Sequence, residues 1–272
     1  MTNIVNIRLL VSVSATLGVL IISSCSFFKP DFIPESPKDL FAEGVKALKE
    51  EQHIHARTLF NKTIEDFPDS KERIESLLLL GRSHYSLAEY EEAKINFQKF
   101  IDLYPVNKQA DRAYFFRAMS DYKMIDIAAR DQTAAQEALN GFELLINRFP
   151  KSKYIKKAKN NKKKCALRLA ENIFEIGKFY YNTGSYQSAI PRLKDLLAQN
   201  PNHNFSDEAA FLLAESYYNE QNFIEALVSY KKLVNNYPRS QFIVQAKKRL
   251  KRLSNPKEKM NSSFAPAARL RR

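Results

Sequence analysis

Residues 93–105 read AKINFQKFIDLYP, and this spacing of an alanine, a large apolar residue four on and a proline eight further recurs through the whole chain. The copies are Ala56, Phe60, Pro68, then Ala93, Phe97, Pro105, then Ala138, Phe142, Pro150, then Ala189, Leu193, Pro201, and last Ala226, Tyr230, Pro238. Twelve residues ahead of the alanine stands a small residue: Gly44, Gly81, Gly177 and Ala214 in copies one, two, four and five. A repeat of this kind decides the fold before any other feature, because each unit must bury its open side against the next.

Small residues on consecutive helices let two backbones approach closely, and a ring four residues after the alanine covers the next turn of the same face. The proline ends the second helix, since it has no N–H and restricts the residue before it. In the second copy the string Leu77, Leu80, Gly81, Tyr90, Ala93, Phe97, Pro105 resembles the tetratricopeptide repeat. The expected fold class is therefore all-α, a superhelical solenoid of five tetratricopeptide-like helical hairpins.

Two departures from even spacing are informative. Successive prolines lie 37, 45, 51 and 37 residues apart, against about 34 for the regular repeat. The third copy spans twenty residues from its small residue Ala118 to Ala138, so it carries an eight-residue insertion around KMIDIAARDQTA, at about 124–133. From Pro150 to Gly177 there are 27 residues where the other junctions have 13, which predicts one long helix from about Ser152 to Tyr181 joining repeats 3 and 4.

The N-terminus has its own logic. Arg8 precedes an apolar run from Leu9 to Ile22, and the ending Ile22-Ser23-Ser24-Cys25 resembles the bacterial lipobox. Its implication is a signal peptide over 1–24 and lipid attachment at Cys25, with Ser26 after it implying the outer membrane. The Pro-rich stretch 25–38 reads as a tether, 39–150 as repeats 1–3, 151–253 as a long basic helix and repeats 4–5, and 254–272 as a basic disordered tail. An uncleaved anchor helix, or an ordinary signal cut elsewhere, stays open as the alternative.

The net charge of +13 is concentrated in two places: residues 151–168 hold nine cations and no acid, and 247–272 hold ten cations and one acid. Taking their +18 from the whole leaves the remaining chain at about −5. A solvated face and tail, or contact with anionic lipid or an acidic partner, both fit; nucleic acid does not, because no aromatics interleave the charges.

Little here supports catalysis or a cofactor. Six glycines occur without a phosphate-cradling cluster, and His53, His55, His84 and His203 match no metal-ligand spacing. Cys165, inside KKKCALRLA, reads as a small core residue. No cofactor and no metal are expected. First-helix residues on the side away from the Leu80–Gly81 face are Phe41, Arg82, Tyr85, Phe115, Met119 and Tyr122, a candidate peptide groove of aromatics beside an arginine. Packing of Phe115 and Tyr122 against the next repeat is the competing reading.

The insertion carrying Arg130-Asp131-Gln132, and the stretch LAENIFEIGKFYYNTGSYQSAIPRL at 169–193, resemble the BamD (ComL) family, the lipoprotein subunit of the outer-membrane β-barrel assembly machinery. The resemblance implies a non-catalytic scaffold on the periplasmic face of the outer membrane. It implies N-terminal repeats that receive unfolded outer-membrane proteins and C-terminal repeats that dock on a POTRA domain of a BamA-type Omp85 barrel protein, beside other assembly lipoproteins. The family's docking arginine, three residues after the repeat-four alanine, corresponds to Arg192. Two features depart from the pattern: Asp121 in ADRAYFFRAMSDY, and the basic C-terminal tail. Another lipid-anchored repeat adaptor, such as a secretin pilotin or a cell-wall coordination factor, remains the alternative.

Overall fold

The computed structural model describes residues 36–125 and 132–255. Cys25 with its leader and most of the tether, Arg130 and Asp131 of the insertion, and the tail after Asn255 thus lie outside the described residues. Within them all regular structure is helical: α1 (Pro37–Lys49), α2 (His53–Asp66), α3 (Glu72–Ser86), α4 (Tyr90–Leu103), α5 (Ala110–Met124), α6 (Thr133–Arg148), α7 (Ile155–Asn182), α8 (Tyr186–Gln199), α9 (Ser206–Asn219), α10 (Phe223–Asn236) and α11 (Ile243–Ser254). The chain divides into two compact units between Ser76 and Leu77, inside α3.

In the first unit α1 packs on α2. Ser36 caps α1 by accepting the Asp39 N–H at 3.2 Å, Pro37 supplies a preset φ at the first turn, and Asp39 and Lys49 complement the helix dipole at either end. The Phe60 ring lies directly on Gly44, where an added Cβ would come within 2.7 Å of a ring carbon. The second unit repeats this seat: Gly81 of α3 under Phe97 of α4, at 2.9 Å, and Gly177 of α7 under Leu193 of α8, at 2.7 Å. The small residue of the first helix is therefore the socket for the side chain four after the alanine. The third copy reverses the arrangement. Ala118 of α5 faces Gly141 of α6, 2.8 Å from where a Cβ there would sit, so the socket lies on the second helix, one residue before Phe142. Phe60, Phe97, Phe142, Leu193 and Tyr230 are all fully buried, each contributing about 1.5–3 kcal/mol of burial.

Four hairpins turn in the same way. Gln52, Glu89, Ser185 and Asn222 each donate a backbone N–H five residues back, to the carbonyls of Ala47, His84, Tyr180 and Tyr217, at 2.8–3.0 Å. The residue before each is left-handed: Glu51 at φ 59°, Ala88 at 60°, Gly184 at 77° and Gln221 at 59°. This is the Schellman closure that satisfies the last carbonyls of a helix, and only Gly184 adopts it without steric cost. At the other end, Phe67, Tyr104, Phe149, Asn200 and Tyr237 precede the five repeat prolines with φ between −134° and −127° and ψ between 55° and 64°, outside the helical region that a following proline disfavours.

The long joining helix is present as the 28-residue α7, which starts at Ile155 rather than Ser152 because Lys151–Tyr154 form the turn that enters it. Cys165 faces inward on it, fully buried, and burial pushes its thiol up to about 11. At the C-terminal end α11 is fixed by Arg249, which donates from Nε and Nη2 to the two oxygens of buried Glu215 at 2.8 Å each and lies 4.1 Å over the Tyr218 ring. The Tyr230 hydroxyl donates to the same carboxylate.

The turn geometry makes a directional prediction. Ala88→Gly relieves left-handed strain and should raise stability by about 0.5–1 kcal/mol in denaturant unfolding, whereas Gly184→Ala should lower it by about 1 kcal/mol. Equal effects of the same sign would contradict the assignment.

Candidate protein-binding site

The second unit contains a cavity of about 510 Å³ between α3, α5, the α4–α5 loop and the turn entering α7. Its apolar wall is Phe116 and Tyr154, whose rings meet edge to face at 6.1 Å. Arg82 of α3 lies 4.2 Å over the Phe116 ring, and Tyr85, one turn on, meets the same ring at 5.4 Å. Arg112, Lys108 and Lys153 add cations. The carboxylate among them, Asp111, is engaged by the Ser152 hydroxyl at 2.6 Å. Burial, and then the nearby Arg112, lower the pKa of Arg82, so its charge is favoured by any anion that enters. Burial, and then Tyr90, raise that of Tyr85.

Of the six expected groove residues, Arg82 and Tyr85 are thus brought together. The others are not. Phe115 is 5% exposed and stacks on Tyr154 at 4.6 Å, because the turn entering α7 covers that face of α5; it is a core residue and not a surface one. Met119 accepts from the Asn161 side chain at 3.0 Å, and Tyr122 meets Phe142 edge to face at 6.3 Å and lines a small space against Leu167 and Arg168, so both face the long helix. Phe41 belongs to the first unit, where it packs 6.2 Å from Phe60. The ring that completes the cavity, Phe116, adjoins Phe115 in sequence.

Arg192 forms a second surface. Its guanidinium lies 4.5 Å over Tyr180, and Nη1 donates to the Ser188 carbonyl at 2.8 Å. Ile173 and Ile176 run along the α7 strip that contains Tyr180, both well exposed, and Phe179 beside them is 62% exposed. The remaining guanidinium donors therefore sit beside an uncovered apolar strip.

Compared with known proteins, residues 34–221 match the family model of the YfiO outer membrane lipoproteins. The chain belongs to that family. Residues 208–240 separately match a tetratricopeptide-repeat model, in agreement with the hairpin of α9 and α10. Curated relatives include the outer membrane protein assembly factor BamD of Caulobacter vibrioides, 28% identical over 76% of this chain and 69% of that protein. The BamD of Rickettsia prowazekii is 29% identical over 79% and 86%, and that of Neisseria gonorrhoeae 26% over 78% and 83%. Among solved structures, the TPR2AB domain of yeast Sti1 in its pHSP90 complex overlaps loosely, at a TM-score of 0.44 and 18% identity, covering 80% of this chain and 82% of that one.

Asp121, the charged departure in repeat three, does not face the cavity residues. It is fully buried, its Oδ1 lies 2.8 Å from the Lys94 ammonium, and Lys94 also pairs with Glu137. Burial raises the Asp121 carboxyl from 3.8 to about 6 against the pull of Lys94. Between those values the folded chain keeps a proton that the unfolded chain has released, so stability falls as pH rises from about 4 to 6 and is level above. Relative to Asp121→Asn, the native chain should lose on the order of 1–3 kcal/mol across that window in pH-dependent unfolding; parallel curves would contradict the assignment.

Proposed function

We propose that this chain is a non-catalytic scaffold lipoprotein of outer-membrane protein assembly, working on the periplasmic face of that membrane. The observation that carries the reading is the family match, which spans every residue of both the Arg82–Phe116 cavity and the Arg192 surface; the BamD relatives bear names of assembly factors. Unfolded outer-membrane proteins enter at the cavity. There Arg82, Arg112, Lys108 and Lys153 attract a C-terminal carboxylate, while Phe116 and Tyr154 offer rigid rings to its apolar side chains. The Arg192 surface docks on a POTRA domain of a BamA-type Omp85 barrel, with other lipoproteins in the same complex. Tyr180 and the Ser188 carbonyl already order the Arg192 side chain, which lowers the entropy lost when it meets a carboxylate.

The two roles separate in one experiment. Arg192→Glu should weaken binding to an isolated POTRA domain by about tenfold or more while leaving binding of a C-terminal outer-membrane-protein peptide intact. Phe116→Ala should weaken the peptide by about tenfold and spare the POTRA domain. Unchanged binding by either variant to its own partner would overturn that half of the proposal.

A further inference from the structure

The N-terminal half of α7 has a face that neither proposed role uses. Lys156, Lys157, Lys159, Lys163 and Lys164 are exposed, while Ala158 and Cys165 on the opposite side are fully buried. Lys156, Lys159 and Lys163 stand three and four residues apart along one strip, with Lys157 and Lys164 on the adjoining one. The whole set spans about 12 Å of helix axis. Acid pairing occurs only at the margins: Lys162 reaches Glu143 at 3.1 Å, and Arg168 reaches Glu171 at 3.8 Å. Among the described residues, the five exposed lysines form no ion pair.

The chemistry of the face selects its partner. Eight of the nine cations in residues 151–168 are lysine. Lysine is a hydrated point charge with no fork to match a particular carboxylate, and it is depleted from protein interfaces, where arginine is enriched. A stripe of such charges along one helix, without aromatic rings between them, suits a diffuse anionic plane better than a protein pocket or a nucleic-acid strand. Membership of an outer membrane lipoprotein family brings such a plane within reach. We propose that this face of α7 lies against the anionic phospholipid headgroups of the membrane, holding the long helix along the bilayer surface.

The test uses the mature chain, residues 25–272, carrying Cys25→Ser so that no acyl chain contributes. Cosedimentation with phosphatidylcholine vesicles should be weak. Adding phosphatidylglycerol should produce binding that falls with added salt. Lys156→Gln with Lys163→Gln should reduce that binding roughly 25-fold, since each lysine near an anionic surface contributes roughly fivefold. The matched pair Lys247→Gln with Lys251→Gln on α11 should cost much less, and circular dichroism should show every variant helical. Absence of binding to phosphatidylglycerol vesicles would overturn the proposal, as would equal losses from the two pairs. Binding to polyglutamate but not to vesicles would overturn it in favour of an acidic protein partner.

Discussion

Everything in the hairpin architecture depends on seating one large side chain on one small residue of the paired helix. With Phe60 over Gly44, Phe97 over Gly81 and Leu193 over Gly177, the ring or branched side chain occupies the volume that a Cβ would need. Helix separation, and with it the direction in which each first helix presents its other face, follows from that contact. Repeat three satisfies the same constraint with the small residue moved to Gly141, which shows that the requirement is for space between the helices, on whichever helix supplies it.

Much of this was legible in the sequence because the constraint is local and periodic. The alanine, knob and proline register marks the second helix of every hairpin, and the oversized junction after Pro150 announces α7. The left-handed turns were not legible. Glu51, Ala88 and Gln221 are not residues that signal a positive φ, and only Gly184 does; hydrogen bonds closing the turn override the local preference at the other three. Of the expected groove residues only Arg82 and Tyr85 lie together at the cavity, for a different reason. Helical spacing names a face but not what covers it, so Phe115, buried under Tyr154, cannot be told by spacing from its half-buried neighbour Phe116.

The two candidate surfaces use arginine in different surroundings. Arg82 sits in a cavity where burial and Arg112 both work against its charge, so that an anion entering there would favour the charged form. Arg192 is instead held on an open surface beside exposed Ile176 and Phe179, the arrangement of an anchored charge in an apolar interface. Apart from both sites, buried Asp121 pairs with the partly exposed Lys94, which also pairs with the more exposed Glu137, and this cluster ties α4, α5 and α6 together.

The most direct measurement of the central claim, one scaffold with separate surfaces for substrate and barrel, is photo-crosslinking in the native envelope with a benzophenone side chain placed at Phe116 or at Phe179. The account predicts that position 116 captures unfolded outer-membrane proteins and position 179 captures a barrel protein with POTRA domains. Capture of the same partner at both positions, or of a secretin or a cell-wall enzyme in place of that barrel, would contradict it.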